Sequence, residues 1–483
     1  MTRQLSDGER TSTTIDRRTV VQRLGAVTGT LALAGCLGES DDDDTEGESD
    51  TGDTDGGDDV DAMPDLIDVD DPPAAVYIPT HREAMRMLEP IEAGEYALAP
   101  MLSYPHPFWV IAGGGDVEDE VERVEPEDGR GVHMMFTLWD AETETVLPVD
   151  EGVQIRIERD GEQISDSPLS PWPMLSQEMG FHFGDNVVLP EDGTYTVEVT
   201  LPPISATKTG DLEGRLDDSQ TVSFEFVYDD EFREEVIGGV DFLDEVYWGE
   251  PGALEPMDHG HDADEHDDHD HSDHDDGHDG HDDDHGDDGH DDHGDHDDHD
   301  EHGDHDHDDH SGHDDHDDHG DHDEHHHVPY SELPPVEAFP GTRLEAGDAD
   351  ADDDLNGDTP ATRDLPRSGD AAFLATLLES DHRLADGDQY LLVSPRTPYN
   401  RVPLADMSLS VTINDDEETA LEQTIDDEYG LHYGASLSTA VKPGASVTIT
   451  VESPPQVARH QGYETAFLEM EPVELVVPEG DND

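Results

Sequence analysis

Strict alternation of apolar and polar residues marks two separate stretches of this chain. In the first, "HMMFTLWD" from His133, "VQIRIERDG" from Val153, "TYTVEVTLPP" from Thr194 and "TVSFEFVY" from Thr221 switch sides with period two. "RDGE" and "PEDGT" read as turns between them. In the second, "QYLLVS", "MSLSVTIND", "SVTITVESPP" and "PVELVV" repeat the pattern. Short strands with Gly/Asp turns at regular spacing predict antiparallel sandwiches. The expected architecture is all-β: two Ig-like antiparallel β-sandwich domains, over 74–230 and 370–483, joined by a long disordered His/Asp-rich linker. The intervening segments 231–257 and 328–369 show no alternation and read as linkers.

The two stretches also match each other. "GFHFGDNVVLPEDGTYTVEVTLPP" from Gly180 lies opposite "GLHYGASLSTAVKPGASVTITVESPP" from Gly430. Each gives Gly-apolar-His-aromatic-Gly, a turn, an alternating strand and Pro-Pro. Upstream, "GVHMMFTLWDAETETVLP" faces "GDQYLLVSPRTPYNRVPL" in the same order. An internal duplication of one sandwich accounts for both matches.

Composition changes the picture between the stretches. Residues 258–327 hold 24 of the chain's 31 histidines and 34 of its 127 acids, with glycine and almost nothing apolar. Such a segment cannot bury enough surface to offset chain entropy and is expected to be disordered. A comparable acidic stretch, the stalk 37–73, has no histidine, so the tract's histidines need a separate cause. Spacings of one to four residues let a flexible chain wrap one ion with two or three imidazoles. The densest run places His293, His296, His299, His302, His305, His307 and His310 in this role. A bare solvated tether is the alternative.

The N-terminus carries the order of an export signal over residues 1–36. Arg17 and Arg18 form a twin arginine, an apolar run too short to span a bilayer follows, and "LAGC" ends it as a lipobox with Cys36 as the lipidated residue. Anchoring to the outer face of the cell membrane is therefore expected. Cys36 is also the single cysteine, which excludes disulfides, zinc–thiolate sites and blue copper from the mature domains. The formal net charge of -105 excludes nucleic acid as a partner held by charge. Acidity with few lysines resembles the proteins of salt-loving archaea.

Candidate ligands outside the tract are His133, Met135, Met174 and His182 in the first stretch. His133 and Met135 share one face of a strand, and Met174 and His182 flank a loop that could fold back on itself. Imidazole suits copper, zinc, iron and nickel, and thioether sulfur favours Cu(I). The same methionines could equally fill a core. His81 in "IPTHREAM" and His106 in "YPHPFW", close to prolines, could be loop ligands, but read first as packed or solvated loop residues. No phosphate cradle, nucleophile triad or distinct carboxylate pair points to an enzyme.

"PMLSQEMGFHFGDNVVLPEDGTYTVEVTLPP" resembles the periplasmic iron-transport protein family, small Ig-like sandwiches of bacterial iron-uptake systems. The resemblance covers about a third of the chain. It implies copper or iron bound near a dimer interface, a homodimer and a permease partner. The family's ligands are a Met, the turn His, a His-x-Glu on an earlier strand and a His after the Pro-Pro. Carried over, Met174 and His182 match, with one extra residue between them. His133 takes the His position and Met135 stands where the Glu should be. No histidine follows Pro202-Pro203. In the second stretch His432 matches the turn histidine and His460 follows the Pro-Pro, while Thr424 stands near the Met position and Gln389 opposite His133. Neither stretch alone completes the family set.

The expected function is a lipid-anchored binder of copper or iron, with zinc or nickel also fitting, used in metal acquisition or buffering. The competing expectation is a structural or adhesive surface lipoprotein with Ig-like domains.

Overall fold

A computed structural model of the chain describes residues 64, 66–111, 121–127, 130–149, 151–257, 327–347, 365–414 and 416–479. The signal with Arg17, Arg18 and Cys36, the acidic stalk up to Met63 and the tract histidines from His293 to His310 lie outside the described residues. The end of the expected stalk is folded instead: Leu66 packs against the core and Asp68 pairs with Arg123 at 2.9 Å. No helix among the described residues is long and apolar enough to cross a membrane.

The fold is all-β and Ig-like, as the alternation predicts. In the first half a nine-stranded sheet runs through Tyr96–Ser103, Gly131–Asp140, Gly180–Val188 and Trp172–Ser176. It packs on a four-stranded sheet of Gln220–Tyr228, Gly193–Leu201, Gln154–Arg159 and Glu162–Gln163. Their inner faces interdigitate: Val132, Met134, Phe136, Phe181 and Phe183 from one, Tyr195, Val197, Phe224 and Phe226 from the other, all buried. Phe136 and Phe224 meet edge-on at 6.0 Å across the layer. The second half builds its sandwich from one eleven-stranded path. Thr419–Asp426 serves both layers: its first residues pair with Ser408–Ile413, the later ones with Gly430–Leu437. A strand that switches partners in this way turns a sandwich corner.

The two halves are not beads on a string. The described residues up to Met257 and from Val328 onward form one compact unit. Each half lends the other a strand after its Pro-Pro. Ala458–Arg459 pairs in parallel with Trp172–Ser176, and Thr207–Thr209 pairs in parallel with Thr419–Asp426. The duplication therefore folds as an internal pseudo-dimer with exchanged edges.

Both segments read as linkers contain folded structure. Within 231–257 most of a helix, Asp230–Gly238, buries Phe232 and Val236 one turn apart, with Asp229 accepting from the Phe232 N–H at 2.9 Å as its N-cap. Asp241–Phe242 then pairs with His81–Arg82. Within 328–369, Val328, Leu333, Phe339 and Leu344 are buried. These elements hide from an alternation search because one is helical and the others are two-residue edges.

Candidate metal centre

The hairpin Trp172–Ser176/Gly180–Val188 sets the centre. Its register puts Met174 directly opposite His182 and closes at Ser176 opposite Gly180. Gly180 adopts φ +68°, and a side chain there would run into Ser331, so the turn requires glycine. Beyond the turn, period two sends Phe181, Phe183 and Val187 into the core and His182, Gly184 and Asn186 to the opposite face. The neighbouring strand places His133 opposite Asn186 and Met135 opposite Gly184.

Gly184 leaves a cradle on that face. The position a Cβ would take there is 3.0 Å from His133 Nε2 and 3.0 Å from Met174 Sδ, which brings those two donors together. The borrowed strand from the second half then delivers His460. Its Nε2 lies 3.2 Å from His182 Nε2. The loop before Phe108–Ile111 adds His106, whose ring centroid is 4.1 Å from that of His133 and 4.9 Å from that of His460. Ligand nitrogens of His106, His133 and His460 lie within 4.8 Å of one another and could hold a metal ion. All four rings are buried, none more than 4% exposed.

Hydrogen bonds fix the tautomer of three of the rings. His182 Nδ1 faces the Gly180 carbonyl at 3.2 Å and His460 Nδ1 the Glu83 carboxylate at 3.0 Å. His133 Nδ1 faces Asn186 Oδ1 at 3.0 Å, and that oxygen is identified because Asn186 Nδ2 donates to the His106 carbonyl at 2.8 Å. Each of these partners only accepts, so each Nδ1 carries the proton and each Nε2 presents a lone pair. His106 has an acceptor at both nitrogens, the Pro107 carbonyl 3.1 Å from Nδ1 and the Glu83 carboxylate 3.3 Å from Nε2. Nitrogens of His106, His133 and His460 converge, and His182 joins them through His460. His133 Nε2 has no hydrogen-bond partner, and His182 and His460 face lone pair to lone pair. Buried acceptors left this way are costly, and a cation between them removes the cost.

Burial also disfavours the charged form of three of these rings. Desolvation pulls the His182 pKa down to about 3 and that of His106 to about 4, and holds His133 well below the ordinary imidazole value. Burial alone would raise Glu83, yet the His106 and His460 imidazoles hold its carboxyl well below the usual range. Neutral imidazole, thioether and a carboxylate make a donor set for a divalent or cuprous transition ion. Imidazoles sharing one ion at about 2.0–2.1 Å have Nε2 atoms about 2.9–3.4 Å apart, depending on the angle. The His182–His460 separation of 3.2 Å falls inside that range.

Of the residues that the sequence marks, the structure brings together His133, Met174, His182 and His460. Met135 departs from that set: it packs among Ala97, Ala99, Met101, Trp139 and Met179 as a core methionine. His432 is a second departure. It repeats the hairpin geometry, opposite Thr424, but its Nε2 meets the Tyr390 hydroxyl at 3.4 Å. Register identifies Tyr390, not Gln389, as the counterpart of His133, because it pairs with Ser436 as His133 pairs with Asn186. Likewise Thr209 takes the place of His460, opposite Asp426. The pseudo-equivalent position in the second half is filled by a tyrosine, two threonines and one histidine. Glu83 is the addition that the sequence reading missed, and His106, whose setting reads first as a packed or solvated loop position rather than a loop ligand, joins the cluster. Five of the seven histidines outside the tract cluster around this face, but nothing distinguishes Glu83 among 127 acids.

Asn186 joins two ligand-bearing elements through one side chain. Asn186→Ala is expected to release the His133 tautomer and the His106 loop together. Copper affinity at this centre should fall roughly 10- to 100-fold, the usual effect of losing a supporting hydrogen bond to a ligand. Competitive titration with a chelator of known affinity measures it.

Among known proteins, a family model described as a domain of unknown function (DUF7350) matches residues 338–476. No curated protein sequence matches the chain. Two solved structures show a distant likeness. One is a copper-bound variant of FetP from uropathogenic Escherichia coli strain F11, 20% identical over 30% of this chain and 97% of that chain, with a TM-score of 0.21. The other is FetP of the same strain as isolated, 20% identical over 31% and 95%, with a TM-score of 0.20. Likeness at that level carries no functional argument, which leaves the side-chain geometry to carry it.

Proposed function

We propose that this chain is an extracytoplasmic, lipid-anchored carrier of a transition metal, acting in acquisition or buffering of the ion rather than in catalysis. The observation that carries the reading is the pair His182 Nε2 and His460 Nε2, 3.2 Å apart with both protons committed elsewhere. Copper suits the donor set best, since a thioether joins several imidazoles, and ferrous iron comes next. His460 comes from the other half of the same chain, so the centre is complete without a second copy.

The His-rich tract is the capture arm of this carrier. Its flanks support that role: the Met257 N–H donates to the Glu178 carbonyl at 3.0 Å, and the Tyr330 hydroxyl donates to the Gln177 carbonyl at 2.9 Å. Both points belong to the hairpin turn beside the centre. A ligand tethered close to a site acts at high effective concentration there.

The test compares the full chain with one whose 24 tract histidines are asparagine. The expected result is many weak copper equivalents lost and one tight equivalent kept. If the substituted chain binds no copper tightly, the buried centre is not a metal site. If both chains bind equally, the tract is a tether and the adhesive reading gains.

A further inference from the structure

The buried nest raises the question of how an ion reaches it. Two small, partly open cavities approach it, with volumes of ≈ 30 and ≈ 20 Å³. One touches His460 and the other touches His106. Their walls share three residues: His81, Glu83 and Gln461. In each cavity His81 and Glu83 line the same wall as one nest histidine.

His81 is built like the nest histidines. Thr80 has a single hydroxyl proton, which goes to the Ile67 carbonyl at 2.7 Å, with Gln461 Oε1 at 3.1 Å as a second acceptor. Towards His81 Nδ1, at 2.9 Å, the hydroxyl therefore accepts. The proton sits on Nδ1, and Nε2 keeps its lone pair. The ring rests near Phe242, centroids 5.8 Å apart; His81 itself is 8% exposed and its neighbour Phe242 is 43% exposed. Glu83 follows two residues later on the same extended segment, the spacing that turns two side chains to one side.

We propose that His81 is a loading ligand: a transient outer binding point for the transition ion, which it takes from water and passes by way of Glu83 to His106 and His460. The inference rests on the metal-carrier reading of the nest. A transient ligand lowers the barrier in both directions and does not belong to the final shell. His81 therefore governs the rates of metal uptake and release while the equilibrium affinity stays with the nest.

Stopped-flow quenching of tryptophan fluorescence by cupric ion alone, in the full chain, tests this. The trace of a His460→Ala chain is subtracted to isolate the nest phase from the tract. His81→Ala, and His81→Gln, which keeps a donor for Thr80 but loses the imidazole nitrogen, are expected to slow uptake and release together. The effect should be roughly tenfold, at the lower end of what a charged, ligand-lined cleft adds to an on-rate. The dissociation constant of the nest and the thermal midpoint should change less than about twofold and a few degrees. Unchanged rates in both variants overturn the proposal. So does a loss of affinity that tracks a loss of thermal stability, which marks His81 as structural. Absence of any nest phase in the unsubstituted chain overturns the carrier reading and this inference with it.

Discussion

His460→Ala is expected to remove the tight copper equivalent while leaving the tract's weaker binding untouched. His460 Nε2 is the closest partner of His182 Nε2, and its Nδ1 is held by Glu83. Its loss takes away one nitrogen and also frees the carboxylate that balances the charge of the ion. Removing a supporting group alone typically weakens a metal site 10- to 100-fold, so loss of the ligand itself should cost about 100-fold or more. The backbone around it should hold. The His460 N–H donates to the Leu175 carbonyl at 3.0 Å whatever the side chain, and Arg459 anchors the strand through the Ala466 and Pro455 carbonyls. Isothermal titration with copper, alongside a thermal melt, separates lost binding from lost fold. Because His460 is the second half's contribution, this substitution also tests whether the centre spans the internal pseudo-dimer.

Acid should separate the two classes of metal site. An imidazole free in water has a pKa near 6.5, and an ion held only by such groups leaves as pH falls through that value. In the nest, burial holds His182 at about 3 and His106 at about 4, so their nitrogens stay available at pH 5. Copper retained per chain is expected to drop from many equivalents to one between pH 7 and pH 5.

The same shifts act on the metal-free fold. A histidine whose folded pKa is depressed contributes stability that is present above its unfolded value near 6.5 and is lost as pH falls towards the folded value. His432, pulled down to about 4 by burial, adds to the effect. At pH 4 each of these groups costs roughly 3 kcal/mol relative to pH 7, at about 1.4 kcal/mol for each pKa unit. Two carboxyls act in the opposite sense: burial pushes Asp185 and Glu178 up to about 7, so each gains stability as pH falls and together they offset much of the histidine loss. The thermal midpoint of metal-free protein should therefore fall less steeply between pH 6.5 and pH 4 than the histidines alone dictate. Copper should oppose the fall down to about pH 5 by binding only the folded state. A profile in Asp185→Asn no steeper than that of the unsubstituted chain would contradict this balance.

Much of this was legible in the sequence, and the reasons differ by element. Alternation in "TYTVEVTLPP" placed a strand because one face is buried and the other is not, whereas the strand of "HMMFTLWD" is buried on both faces and reads as a strand through its apolar and aromatic content. The repeated Gly-apolar-His-aromatic-Gly hairpin showed the duplication because Gly180 and Gly430 both need left-handed backbone, at φ +68° and +66°. His182, Met174 and His133 were visible through that motif. Their union with His460 was not, since only the exchange of Ala458–Arg459 across the two halves brings it about, and alternation says nothing of which sheet a two-residue strand joins. Glu83 and His106 lie on loops, where no period marks a side chain's direction. Met135 shares the face of His133, yet the face is wide enough for a ligand and a core residue two positions apart.

The central claim is that four buried imidazoles and a thioether surround one ion. Anomalous diffraction at the copper edge from crystals of the copper-loaded full chain tests it most directly. The account predicts a peak between His182 Nε2 and His460 Nε2, within bonding distance of both and facing His133, His106 and Met174. Copper peaks elsewhere only, with the His182–His460 nitrogen pair unbridged, would contradict it.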